Sequence, residues 1–406
     1  MNTTHKKYPT IIISALTAFL FLNLNIYLPG SGIFPLPAYI IDLSIFIFLV
    51  GYYTKHDINL PINNIFFVWL LYYLSLNIIY FIVSPMGIGE TTLFKVIIFS
   101  IILYLYILLL FTLDNENLSI TRKTAVFIAP IASISLGIDY FDSGFFNLLD
   151  DYEVIQGRAA SFYRNANYAG ISMIILLILG IDMIDKKYRT LFILIIFMGI
   201  FFTMSRSNLM IMFLVVFIMF LQKKLYVRHL LITFTIITLF FSWLTTGGLD
   251  TISDKYHIEI TENMKSRVNF FANNDVSDTS DINERKEILH DALEIFTDNP
   301  VLGKGLGKTI FWHHPVGPHN TFTMLSAEQG IFGLILLPLL FFVSTVNIFK
   351  YGKKEHKHLA VLSIITYTLG SFFSHDMLSS VTVIMLMVII ATIGYKMKQI
   401  YLKNNY

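Results

Sequence analysis

The chain has 406 residues, 55% hydrophobic and 15% aromatic but only 14% charged, with a mean hydropathy of +0.66. A soluble domain averages about 25% charged residues, so this composition cannot cover a water-exposed surface and excludes a soluble globular enzyme. The absence of cysteine excludes thiol catalysis, thiolate zinc sites and disulfides. The net charge of +2 is uninformative as a total, and no nucleic-acid partner is read from it.

Apolar runs long enough to cross a hydrocarbon core of about 30 Å recur along most of the chain. A β-barrel would show short alternating segments instead. Residues 1–8 are short and basic, with Lys6 and Lys7. The apolar run at 10–28 is too long for a signal-peptide core and lacks a small-residue cleavage site, so it reads as a retained first helix. Pro29, Gly30, Gly32, Pro35 and Pro37 then mark a tight reversal. Further spans are expected at about 36–53, 64–84, 93–113, 124–138, 168–185, 190–205, 207–221 and 229–245, and after a long polar region at 321–344, 359–374 and 379–395. The expected fold is an all-α polytopic membrane protein of about twelve spans.

The distribution of Lys and Arg fixes an expected orientation. With the N-terminus cytoplasmic, the cytoplasmic segments hold 18 basic residues, whereas the short loops opposite hold only Arg158, Arg164 and Arg206. Both termini then lie in the cytoplasm and the long region at 246–320 lies outside it. The chain divides accordingly into spans one to nine at 1–245, the external loop at 246–320, and spans ten to twelve with a tail at 321–406. The loop holds twelve Asp/Glu, seven Lys/Arg and five His, unlike everything around it. Within it, 280–298 reads as an amphipathic helix. Asp281 and Glu284 have capping-box spacing, Ile288, Leu289, Ala292, Leu293 and Phe296 form an apolar stripe, and Asn299-Pro300 ends the helix. Arg285 falls about one turn before the stripe.

All three basic residues of the short external loops are arginine. Its planar fork of donors matches phosphate and stays ionised. Arg158 stands in GRAASFYRNANYAG directly before a span, and Arg206 in TMSRSNLM between two spans. Interfacial snorkelling explains one such arginine. Arg158, Arg206 and Arg285 together point instead to an anion site, because a boundary arginine is costly unless it faces an aqueous cavity or an anion. The anion expected at such a face is a lipid-linked diphosphate.

His319-Asn320 stands where the external loop re-enters the membrane and is followed by Gly330 and Gly333. An imidazole there suits a general base or hydrogen-bond acceptor near neutral pH. Asn320 is placed to orient it or a sugar hydroxyl, and the two glycines are expected to let another helix approach. His313-His314 suggests a metal, but no ordered carboxylate or thiolate set accompanies the pair in sequence, so no metal site is expected. Gly303, Gly305 and Gly307 before Lys308-Thr309 miss the spacing of a phosphate loop and read as flexible turns. His375-Asp376, in the last external turn, is a functional pair or a helix cap.

Four segments carry a resemblance, in order. They are GRAASFYRNANYAG, TMSRSN, ERKEILHDALEIFTDNPVLGKGLG and HNTFTMLSAEQGIFG, spanning about 157–333. The last fits His-Asn-x9-Gly-x-x-Gly without a gap. The chain resembles the bacterial O-antigen polymerase / O-antigen ligase superfamily. That resemblance implies a GT-C-like fold and metal-independent, cofactor-free transfer of a glycan from undecaprenyl diphosphate at the periplasmic face of the inner membrane. It also implies the bilayer and a chain-length regulator as partners. Carried across, the turn arginine is Arg206, the loop-helix arginine Arg285 and the histidine His319. One departure is Ile288-Leu289, where the family often has tryptophan.

The resulting expectation is that Arg206 and Arg285 clamp a diphosphate and His319 meets the acceptor hydroxyl. Arg158, Asn167, Asn320 and Asp376 shape the donor and acceptor sites. Diphosphate is a good leaving group, and attack from the opposite face inverts the anomeric centre. Three activities share these motifs: polymerisation of repeat units, ligation of glycan to lipid A core, and transfer to protein Ser or Thr. The polymerase is preferred because that group is the more sequence-diverse and this chain is compact with a short tail. A flippase or transporter is the non-enzyme alternative, but transporters favour midplane ionisable groups and repeated halves, and no internal repeat is visible.

Overall fold

The computed structural model describes residues 3–56, 60–83, 88–112, 116–143, 145–146, 157–248, 251, 279–309, 312–314, 316–374 and 377–405. Among these the regular structure is helical throughout. The helices are α1 (Thr3–Phe21), α2 (Leu24–Gly30), α3 (Ala38–Lys55), α4 (Phe66–Val83), α5 (Ile88–Thr112), α6 (Asn117–Phe141), α7 (Ala166–Gly180), α8 (Arg189–Phe202), α9 (Arg206–Leu221), α10 (Val227–Trp243), α11 (Thr279–Asp298), α12 (Thr321–Tyr351), α13 (Lys354–Phe373) and α14 (Val381–Asn405).

The protein is a multi-pass membrane protein. Among the described residues, eight helices are long and apolar enough to cross a bilayer: α3 to α7, α10, α12 and α14. A ninth is added if α1 and α2, which meet at a 59° bend, form one span. The remaining helices account for the difference from about twelve. α8 has 14 residues and α9 has 16, lengths of about 21 and 24 Å at 1.5 Å per residue, less than a hydrocarbon core. α13 opens with Lys354, Glu355, His356, Lys357 and His358.

The chain forms two compact units. The first comprises Met1–Leu16, Leu36–Ile120 and Asn283–Tyr406, and the second Thr17–Pro35 and Thr121–Ile282. Each is built around a helix that is apolar on all sides, the pattern of a helix enclosed by others. In the first, α14 is buried continuously from Val381 to Gly394 and packs on α12, α5 and α13. In the second, α7 is buried from Ala169 to Gly180 and packs on α8 and α9.

Aromatic donors on α4 seat α12 in the first unit. Trp69 Nε1 donates to the Leu336 carbonyl at 2.9 Å and Tyr72 to the Phe332 carbonyl at 2.8 Å. The second unit holds a buried ionic group instead. Lys224 Nζ meets Asp182 at 2.6 Å and Arg122 approaches the same carboxylate at 3.7 Å. Arg189 donates to the backbone carbonyls of Ile184 and Lys224. Burial pulls the Lys224 ammonium below its usual range, against the opposing effect of Asp182. Three basic residues counted from sequence as orientation charge are therefore packing elements here.

α12 is broken at Gly330, whose φ of 60° and ψ of −146° no L-residue adopts comfortably. The segment that follows α11 fills the break. Ile331 N–H donates to the Pro300 carbonyl, while Lys304 and Gly305 N–H groups donate to the carbonyls of Ala327 and Glu328, all at 2.9 Å. The Glu328 carboxylate, buried, accepts from the Thr309 N–H and hydroxyl at 3.2 and 2.7 Å. Tyr80 caps the same junction by donating to the carbonyls of Leu302 and Gln329. Two expectations are corrected here. Gly330 admits a loop, not another helix: a Cβ on it would lie 2.3 Å from the Val301 carbonyl oxygen. Gly303, at φ 67°, is a fitted element of that loop and not a flexible turn, since its Cβ would lie 2.4 Å from the Glu328 backbone.

Gly330→Ala should therefore destabilise the purified protein, by about 1–3 kcal/mol for the backbone conformation alone. Gly51→Ala, where an added Cβ meets nothing within 4 Å, should leave the melting temperature near wild type. Equal melting of the two variants would show that the break tolerates a side chain.

Candidate functional site

The second unit brings three of the expected site residues to one place. Asn165 caps α7, accepting from the N–H groups of Asn167 and Tyr168 at 2.8 and 3.3 Å. This presents Asn167 in the first turn. Its Oδ1 accepts from Arg158 Nη2 at 3.0 Å and from Ser205 Oγ at 3.1 Å. Its backbone carbonyl accepts from Asn208 Nδ2 at 2.9 Å. Arg158 and Asn167 are thus direct partners, and Asn167 holds the Ser205-Arg206 turn through the neighbouring serine. Gly170 makes the close approach possible, because a Cβ there would lie 2.2 Å from Asn208 Nδ2.

Arg206 is the first residue of α9, and Ser205 is the N-cap residue. Ser205 does not cap the helix with its side chain; its hydroxyl donates to Asn167 and lies 3.3 Å from that of Ser207. The first turns of α7 and α9 are therefore joined through Asn167, with Arg158 bonded to the first turn of α7 and Arg206 opening α9. Helix N-termini carry partial positive charge and orphan N–H donors. Together with two guanidinium groups, they form a basic environment suited to an anion.

The segment leading to this cluster is fixed from below by Asp139 on α6, whose Oδ2 accepts from the Ala160 and Ser161 N–H groups at 2.7 Å each. Ala159 N–H donates to the Phe202 carbonyl at 3.0 Å, and Arg158 Nε to the Thr203 carbonyl at 3.4 Å. Arg164 turns away from this group and lies on Gly30, where a Cβ would be 1.6 Å from its Nη1.

The first unit holds the remaining candidates. α11 spans Thr279–Asp298, within a residue of the expected 280–298. Its stripe is narrower than expected. Ile288 and Ala292 are buried, whereas Leu289 and Leu293 are exposed. Arg285 is exposed and stands three and seven residues before that buried pair, on the same side of the helix. His319 is half-buried, one residue before Asn320, the N-cap of α12. The Asn320 side-chain oxygen Oδ1 accepts from Thr323 N–H at 3.1 Å and so caps α12. Thr321 donates to the Ser374 carbonyl, joining the start of α12 to the end of α13. His375 and Asp376 lie outside the described residues.

His313 and His314 prove to have the carboxylate that local sequence does not offer. Their Nε2 atoms lie 3.1 and 2.8 Å from Oδ2 of Asp291 on α11. The hydrogen bond from His314 is the main reason the Asp291 carboxyl is held below the usual carboxylate range. Asp291 is 22 residues from His313, so no local spacing reveals the group. Asp139 and Asn208 also escape sequence reasoning, because their partners are distant in the chain. Glu328-Gln329 was detectable as a charged and a polar residue inside an apolar segment. Gln329 Nε2 donates to Asn77 Oδ1 at 2.9 Å.

Residues 191–337 match the family model described as O-Antigen ligase. Arg206, Arg285 and His319 all fall inside the matched region, and Arg158 and Asn167 precede it. No curated protein matches the chain.

Asn167→Ala removes the acceptor that Arg158 and Ser205 share, which should cost about 1–3 kcal/mol by leaving donors unsatisfied. A thermal double-mutant cycle with Ser205→Ala should give a coupling of about 0.5–3 kcal/mol. Strict additivity would show that the two side chains do not act on each other.

Proposed function

We propose, from the premise that this chain is a member of the O-antigen ligase and polymerase superfamily, that it is a glycosyltransferase using a polyprenyl-diphosphate-linked glycan. Its reaction is the joining of oligosaccharide repeat units carried on undecaprenyl diphosphate at the periplasmic face of the bacterial inner membrane. The observation that carries this reading is the Arg158–Asn167–Ser205 group at two helix N-termini, with Arg206 opening one of them. It is the environment a diphosphate requires. The polymerase is favoured over the ligase and the protein-directed transferase by the sequence diversity of that group.

The chemistry follows from charge. The bond between the anomeric carbon and the diphosphate oxygen breaks, and the electron pair leaves with the diphosphate. Arg206 and Arg285 neutralise the charge that develops there. The acceptor hydroxyl oxygen attacks the anomeric carbon from the opposite face, inverting it, and His319 takes the hydroxyl proton. Diphosphate is stable once released, so the transfer needs neither a covalent nucleophile nor a metal. Arg158 and Asn167 shape the donor side by holding the Ser205-Arg206 turn. Asn320 and Asp376 belong to the acceptor side. The chain crosses the membrane about twelve times, with both termini cytoplasmic and 246–320 outside, and a chain-length regulator is a natural partner for a polymerase.

Arg206→Ala, Arg285→Ala and His319→Ala should each abolish glycan transfer while leaving the protein in the membrane at wild-type abundance. Near-normal product from any one of them removes that residue from the mechanism. Deleting the gene distinguishes the reactions on a gel of surface glycan. A single repeat on lipid A core indicates the polymerase. Bare core with carrier-linked polymer indicates the ligase, and a normal ladder with unglycosylated protein indicates the third activity.

The topology has its own test, because the chain lacks cysteine and any introduced thiol is the sole reporter. In intact cells a membrane-impermeant maleimide should label Asn299→Cys and spare Lys187→Cys. The reverse pattern would invert the orientation and place 246–320 in the cytoplasm.

A further inference from the structure

We propose that Asp291, His313 and His314 form a binding site for a divalent transition metal, with zinc as the best match. The metal fastens α11 to the loop that leads into α12. Its role is structural and separate from glycan transfer.

The donor set and its convergence carry the argument. Two imidazole nitrogens and a carboxylate oxygen all lie within 4.8 Å of one another. His313 Nε2 and His314 Nε2 both address the same oxygen, Asp291 Oδ2, at 3.1 and 2.8 Å. Consecutive residues of an extended chain point to opposite sides. Here the backbone bends through 312–314, turning both rings to one point. Trp312 fixes that bend. Its Nε1 donates to the Val316 carbonyl at 3.0 Å, and its ring packs edge-on against His314 at 4.7 Å.

Distances fit a metal with little movement. Zinc takes imidazole and carboxylate ligands at about 2.0–2.2 Å, which places tetrahedral donors about 3.3 Å apart. The two carboxylate–imidazole distances need to open by only a few tenths of an ångström. Zinc replaces the protons that otherwise lie between the donors, so its binding releases them. Imidazole with carboxylate suits zinc better than magnesium or calcium, which prefer all-oxygen sites. His314 is 9% exposed, Asp291 26% and His313 68%, so the site has an anchored inner wall and an open side. Water completes the coordination there. His290 and Glu294 form a second group with Asp291 and flank the same carboxylate.

The consequence is a cross-link. Asp291 is six residues from Arg285 along α11, and His314 is five residues before His319. A metal at this point closes the intervening loop and ties together the two segments that bear these residues. Closing such a loop removes chain entropy from the open state, so occupancy should be visible as added stability.

Full-length protein purified through a tag without histidine, and stripped with a chelator, tests the site. Titration with Zn2+ should show one equivalent bound, and Co2+ should show the d–d absorption of a nitrogen- and oxygen-ligated ion. Zinc should also raise the melting temperature. Asp291→Asn and the double variant His313→Gln/His314→Gln should each weaken binding by about 100-fold or more and remove the thermal shift. His56→Gln, just after α3, should leave both unchanged. The double variant keeps Asp291, so it decides the question even if Asp291→Asn does not fold. Absence of stoichiometric binding by the wild type overturns the proposal. So does zinc affinity in the double variant equal to that of the wild type.

Discussion

Inside a bilayer every backbone N–H and carbonyl needs a protein partner, because no water is present to supply one. The break in α12 at Gly330 makes this requirement acute. Opening a helix there frees carbonyls at Ala327 and Glu328 and an N–H at Ile331, and all three are satisfied by residues 300–305. The glycine-rich stretch after α11 is therefore structural backbone inserted where a helix has been interrupted. Its hydrogen bonds fix the segment after α11 against the first half of α12. Glu328, buried and holding Thr309 from both N–H and hydroxyl, anchors the far end of the same insertion.

A second constraint governs the other unit. Asn167 has a single side-chain carbonyl, and two donors from separate segments converge on it. This fixes Arg158 relative to the turn that starts α9. The loop carrying Arg158 is held independently by Asp139 through two backbone N–H groups. A guanidinium held by its neighbours before a ligand arrives loses less conformational freedom on binding one. Ser205 directs its hydroxyl to Asn167 and to Ser207 within the same turn.

Much of this was legible in the sequence because it follows from local rules. The α11 boundaries came from a polar start, a stripe and Asn299-Pro300, all within one segment. Arg158 and Arg206 stood out as charges at expected membrane boundaries, where any charge needs a reason; that Asn167 bonds both Arg158 and the residue before Arg206 appears only in the structure. What was not legible depends on distant partners. The Asp291 carboxylate meets histidines 22 and 23 residues away. The role of the glycines at 303 and 330 appears only when the loop and the broken helix are seen together. Leu289 and Leu293 match the stripe in spacing yet remain exposed, because spacing marks a face without stating how wide a surface receives it. The shortness of α8 and α9, which the turn at 203–205 divides, was not legible either, because hydropathy registers composition and not where a helix ends.

The two enclosed helices also bear on how the protein is made. α7 lies within Thr121–Ile282, and apart from the short Thr17–Pro35 segment every part of its unit is contiguous with it. That unit can assemble in the membrane as its helices emerge, neighbour upon neighbour. α14 is different. It is the packing centre of a unit drawn from three separated segments, and it is encoded after α3, α4, α5, α12 and α13, the helices that surround it or pack beside them. Those helices enter the bilayer without their central partner and must wait, with apolar faces covered by lipid, until it is inserted. The order of synthesis thus separates the two units in time. The basic cluster around Asn167 can form early, while the surroundings of Arg285 and His319 are completed last.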